Sequence, residues 1–181
     1  MHIRFVLLVI WVLITFACSS RARVTIPGGA TPRNAPLKAS KEQRSTMQLS
    51  TYLLFDGDCK PAMEFYHSIL GGELTLTAVG ESPMKDAFPS SMHSRVFNAR
   101  LKSALADISA SDWLRPIQNS IKGNTVSLYL SGGTPGDTTT LFHRLSEGAD
   151  VTDALSEQPF GLYGALTDKF GMRWRFHSEK K

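Results

Sequence analysis

The sequence predicts an α+β fold in which two βαβββ modules form a curved mixed sheet around a central cleft. Three observations predict it. First, a strand-like run leads into a helical run twice: Gly57 lies over Gly133, His67 over His143 and Gly72 over Gly148, seventy-six residues apart with no gap. An internal repeat of this kind implies one domain built from two similar units. Second, the hydrophobic period switches between two and about 3.6 within each unit, the mark of strands alternating with a helix. Third, 181 residues with 42% hydrophobic content suffice for one sizeable core plus additional segments.

The elements follow in order. Residues 47–55 alternate loosely and stop at Asp56-Gly57, which reads as a strand. Asp58 is placed to cap the following helix, and Pro61 is tolerable because it falls in the first turn. Ala62, Phe65, Tyr66, Ile69 and Leu70 form an apolar helix stripe, and Gly71-Gly72 supplies a left-handed stop. Strands are predicted at 73–79, 95–101 and 105–110, with a long loop over 80–93 that carries Met84, Phe88 and Met92. Apolar groups gathered on a loop suggest a lid over a cleft. The second module repeats the order. A strand at 125–130 precedes Thr134-Pro135-Gly136-Asp137, which has a cap, a proline at the first helical position and an acid at the third. Leu141, Phe142 and Leu145 are the buried stripe, and strands follow at 149–154, 163–168 and 172–177. His67 and His143 sit one position off the stripes and read as exposed helix residues.

Charge separates the chain into two parts. Residues 49–181 carry thirteen Lys/Arg against fifteen Asp/Glu, whereas 1–48 carry seven against one, so the net charge of +4 belongs to the N-terminal part. A basic folded surface for nucleic acid is therefore not expected. The two cysteines, Cys18 and Cys59, make no disulfide framework, and no zinc-ligand spacing occurs. Residues 5–17 are uncharged behind Arg4, too short for a membrane span and of the length of a signal-peptide core. Residues 1–18 thus read as a signal peptide or a lipoprotein signal, with Cys18 as the lipidation site. Residues 19–46 read as a flexible basic linker and 47–179 as the folded domain. Export with membrane attachment only through that anchor is one reading. A cytoplasmic protein starting at Met47 is the other.

Seven segments stand in order along the domain. They begin with Tyr52-Leu53-Leu54-Phe55-Asp56-Gly57-Asp58-Cys59, Ala62-Met63-Glu64-Phe65-Tyr66 and Gly71-Gly72-Glu73-Leu74-Thr75. Gly80-Glu81-Ser82-Pro83-Met84, Asn98-Ala99-Arg100-Leu101, Ala110-Ser111-Asp112 and Thr167-Asp168-Lys169-Phe170-Gly171-Met172-Arg173-Trp174 follow. On these residues the domain resembles the vicinal-oxygen-chelate superfamily of glyoxalase, bleomycin-resistance and dioxygenase proteins, and within it the PhnB-like branch. The resemblance implies a homodimer and a ligand held between modules. Members are also labelled ubiquinone-pathway methyltransferases, a label unsupported here because no glycine-rich nucleotide loop occurs.

Metal-using members of the superfamily place His or Glu ligands on the first and last strands of each module. Carried onto this chain, those positions are Thr51, Ser109, Thr125 and Arg175, which do not make a divalent-metal site. No metal and no cofactor are expected. Alternation places Val126, Leu128, Leu130, Trp174 and Phe176 toward the helices, and Thr125, Ser127, Tyr129, Arg173, Arg175 and His177 on the concave face. Thr51, Phe55, Asp107 and Ser109 are expected to join that face. The candidate pocket is therefore Thr51, Phe55, Asp107, Ser109, Thr125, Tyr129, Arg173 and Arg175, holding a small polar or anionic molecule around Arg175. Two alternatives stay open. Asp107 pairs with Arg173 or Arg175 and fills the cleft, or the domain is a glyoxalase-like lyase or dioxygenase-type enzyme with a divalent metal. No nucleophile–base pair stands out, so no catalytic residue is named.

Overall fold

The computed structural model describes residues 49–115 and 121–180. The expected signal, the expected linker and Cys18 lie outside them. The expected two modules are both present. The first comprises β1 (Thr51–Phe55), α1 (Cys59–Leu70), β2 (Glu73–Ala78), β3 (Val96–Lys102) and β4 (Asp107–Asp112). The second comprises β5 (Leu128–Ser131), α2 (Pro135–Leu145), β6 (Asp150–Gln158), β7 (Gly161–Thr167) and β8 (Arg173–Glu179). Each module is one four-stranded mixed sheet, ordered β1-β4-β3-β2 and β5-β8-β7-β6. In each, the first strand pairs parallel with the last, and the remaining pairs are antiparallel.

The two helices start by different chemistry. Thr134 and Asp137 form the expected capping box on α2: the Thr134 Oγ1 accepts from the Asp137 N–H at 3.1 Å, and the Asp137 carboxylate accepts from the Thr134 N–H at 2.9 Å. The Thr134 N–H, together with the Thr134 hydroxyl at 2.7 Å, donates to the Asp137 carboxylate and holds it below the usual range. Asp58 makes no such bond on α1. The acceptor there is Asp112 at the end of β4, which is 2% exposed and takes the N–H groups of Gly57 (2.9 Å), Cys59 (3.1 Å) and Val96 (2.7 Å). Gly72, at φ +90°, is obligatory in the turn after α1, because a Cβ there would overlap the Lys102 carbonyl oxygen.

The helices bury their stripes in a core shared by both modules. Phe55, Met63, Tyr66 and Leu101 of the first join Phe142, Leu145, Trp174 and Phe176 of the second. Asp168, 4% exposed, links the modules. It accepts from the Tyr66 hydroxyl at 2.6 Å and the Trp174 indole N–H at 2.8 Å, and from the N–H groups of Phe170 and Met172, both at 2.9 Å. Arg144 of α2 adds hydrogen bonds to the Ser68 and Ile69 carbonyls at the end of α1.

Two expectations are corrected here. Phe55 is not on a concave polar face: it is 0% exposed, in the core with Leu53. Thr51, two residues before Leu53, shares that helix-side parity. The reason is a shift of strand against helix. The helices correspond at a spacing of seventy-six, which puts Ala62, Tyr66 and Ile69 over Thr138, Phe142 and Leu145, all buried. The same spacing puts Leu54 and Phe55 over Leu130 and Ser131, which face opposite sides: Phe55 and Leu130 pack in or against the core, while Leu54 and Ser131 are exposed. The turns 56–58 and 132–134 are equal in length. A gapless repeat therefore inverts the face of the first strand, because side chains alternate with period two.

The segment 80–93 is the second correction. It is three single 3₁₀ turns stitched to one another, with the His93 Nε2 at 3.2 Å from the Lys85 carbonyl and 3.3 Å from that of Phe88. None of its residues lines the cavities around Arg173 and Arg175.

Candidate functional site

Each sheet packs one face on the helices and leaves the other free of them. Alternation along β8 gives Trp174, Phe176 and Ser178 to the helix side, all buried, and Arg173, Arg175 and His177 to the helix-free side. Along β5, Leu128 and Leu130 pack against the core, while Tyr129 and Ser131 are exposed. The register sets Tyr129 beside Arg175 and Ser131 beside His177.

Arg175 donates one hydrogen bond, to the Tyr163 hydroxyl at 2.8 Å. Among the described residues no carboxylate forms an ion pair with it or with Arg173. Aromatic rings share its cavity wall. The His177 ring stacks on Tyr129, with centroids 6.4 Å apart at 14°, and the His177 Nε2 donates to the Phe160 carbonyl at 3.1 Å. Phe160, in the turn between β6 and β7, lies 5.8 Å from His177 and 6.0 Å from Tyr163. Tyr129, Phe160, Tyr163, Arg175 and His177 line an open cavity of about 370 Å³. Sequence reasoning placed Tyr129, Arg175 and His177 on this face. It missed Phe160 and Tyr163; the pairing of Tyr163 with His177 across β7 and β8 brings them in, and that register depends on a turn that periodicity does not fix.

The remaining expected pocket residues are dispersed. Thr51 and Arg173 line a second cavity of about 650 Å³ along the edges of β1 and β5, with Tyr52, Leu54, Val126 and Met172. Thr125 lies before the start of β5 and is exposed. Ser109 is on the helix-free face of the first sheet, paired in register with Tyr52. Asp107 does not pair with Arg173 or Arg175. It accepts from Arg100 on β3 at 3.0 and 2.8 Å, a two-pronged bond that holds its carboxyl below the usual range. Neighbouring strands satisfy this carboxylate locally, so the expected ion pair in the cleft does not form.

The superfamily's divalent metal does not fit the side chains present. With the face of β1 corrected, the helix-free positions on first and last strands are Tyr52 with Ser109 and Tyr129 with Arg175. Hydroxyls and a guanidinium are poor donors for such an ion, and the guanidinium repels it. Among the described residues no three His, Cys, Asp or Glu side chains are grouped to hold one.

The sequence model of a family described as 3-demethylubiquinone-9 3-methyltransferase matches residues 47–177. Protein YjdN of Escherichia coli K12 is 30% identical over 145 residues, which cover 75% of this chain and 97% of that protein. Among solved structures, protein PA1353 from Pseudomonas aeruginosa superposes with a TM-score of 0.68 at 29% identity, over 75% of this chain and all of that one. A protein from Bacillus cereus described as a putative 3-demethylubiquinone-9 3-methyltransferase, PhnB protein, has the same fold. Its TM-score is 0.59 at 22% identity, over 73% of this chain and 99% of its own.

Proposed function

The chain belongs to the family described as 3-demethylubiquinone-9 3-methyltransferase, the PhnB-like branch of the vicinal-oxygen-chelate superfamily, and on that premise we propose that its domain binds a small anionic molecule at Arg175 without a resident divalent metal. The observation that carries the reading is the state of Arg175. A guanidinium has five N–H donors in a planar fork, and this one spends a single bond on a neutral hydroxyl. Arg100, on the helix-free face of the other sheet, is by contrast clamped by Asp107. A cation at the wall of a cavity, left without a carboxylate, is suited to a ligand's carboxylate or phosphate. The reading assigns no reaction, because no nucleophile stands beside a base at the site. The methyltransferase named in the family's description is not carried over, since the chain has no glycine-rich loop for a nucleotide-like cofactor.

The test is a thermal-shift and calorimetric screen of small carboxylates, inorganic phosphate and the matching neutral amides. At least one anion should raise the melting temperature of the wild type, with and without chelator. Arg175→Ala should weaken its binding by about 1.5–3 kcal/mol, the worth of a hydrogen bond to a charged group, and leave the fold intact. An equal response of wild type and variant to every anion would sink the reading.

A further inference from the structure

We propose that the Arg175 site selects planar aromatic carboxylates over other anions, a specification that rests on the reading of Arg175 as an anion-binding residue. A guanidinium alone does not discriminate among carboxylates. Its surroundings here do. Tyr129, His177, Phe160 and Tyr163 place rings on the same cavity wall, and none of these groups is an acid. Tyr129 is 57% and Phe160 58% exposed, so more than half of each ring residue stays open to a ligand beside its own ring contacts. His177 lies nearly parallel to Tyr129, and its bond to the Phe160 carbonyl fixes the ring's orientation. Aromatic faces favour offset stacking or edge contact with another ring, and a flat ligand meets them without losing conformational freedom of its own.

The charge pattern points the same way. Arg175 is the one guanidinium among the five residues that line this cavity, and none of the other four is a carboxylate, so the site is biased toward anions. A phosphate would satisfy the fork but leave the rings in water. A neutral ring would stack but leave the guanidinium without a partner. An aromatic carboxylate answers both, its acid on the fork and its ring against Tyr129 or Phe160. The cavity of about 370 Å³ falls in the range of about 300–1,000 Å³ usual for small-molecule sites.

Isothermal titration of the full chain separates these demands with three probes on one carbon skeleton. They are 2-naphthoate, decahydro-2-naphthoate, which keeps the charge and loses planarity, and neutral 2-naphthamide. The naphthoate should bind about three- to tenfold more tightly than the decahydro acid, the span expected of one or two ring contacts. It should bind at least about tenfold more tightly than the amide. Phe160→Leu should narrow the first ratio, and Arg175→Gln the second. Equal binding of the two acids, each lost with Arg175→Gln, would overturn the aromatic preference and leave the anion site standing. Failure of both acids to bind, or binding indifferent to Arg175→Gln, would overturn both. If either variant failed to fold, as read by circular dichroism, the wild-type ratios would still decide.

Discussion

Cys59 occupies the first turn of α1 with no exposed surface, and its thiol is pushed up to about 12 by burial and by the Asp112 carboxylate beside it. The thiolate is the reactive form, so this residue should be inert in the native protein. Alkylation at pH 8 followed by peptide mapping should leave Cys59 unmodified until denaturant is added. Because the folded pKa lies above that of an ordinary thiol, its contribution to stability is complete below the ordinary thiol range and is lost as pH rises toward about 12. The Tyr66 hydroxyl, raised by burial and then by Asp168, acts in the same direction. Alkaline unfolding curves should show the decline in this window, and Cys59→Ala should flatten part of it. Legibility at the scale of single residues follows how far the deciding interaction lies along the chain. Arg175 and Tyr129 lie on the face that alternation within their own strands predicts. The partner of Asp107 is not predictable in that way, because Arg100 comes from the adjacent strand and a register sets that pairing.

Elements show the same division. The start of α2 was legible because its cap and its acid are three residues apart. The start of α1 was misread because the acceptor, Asp112, arrives from the far end of the module through β4. Asp58→Ala should therefore change stability by less than about 0.5 kcal/mol, as surface substitutions do. Asp112→Ala strands three backbone N–H groups and should cost about 3 kcal/mol or more. Thr134→Ala, which removes a local cap, should fall between them at about 1 kcal/mol. Urea titrations of the three variants give the order, and a cost for Asp58→Ala equal to that for Asp112→Ala would refute this account of the α1 terminus. The modules themselves were legible because each strand and helix carries its own period. The face of β1 was not, since strand and helix are set one residue differently in the two modules.

Across the whole molecule, the two modules share a single core and meet at Asp168, which binds α1 of one and β8 of the other. Unfolding should accordingly be one transition, with Trp fluorescence and far-UV circular dichroism coincident in urea. Tyr66→Phe removes the hydroxyl and leaves Asp168 one donor short. It should lower stability by about 1.5–3 kcal/mol, in the range of hydrogen bonds to charged groups, without splitting the transition. Two separated transitions in the wild type would show that the halves fold independently. The shift of β1 against its helix also separates what the halves share from what they do not. Leu53 and Phe55 in one, and Leu128 and Leu130 in the other, all reach the common interior. The outward residues follow no such match. One half ties Arg100 to Asp107, while the other leaves Arg175 facing solvent with a tyrosine hydroxyl for company.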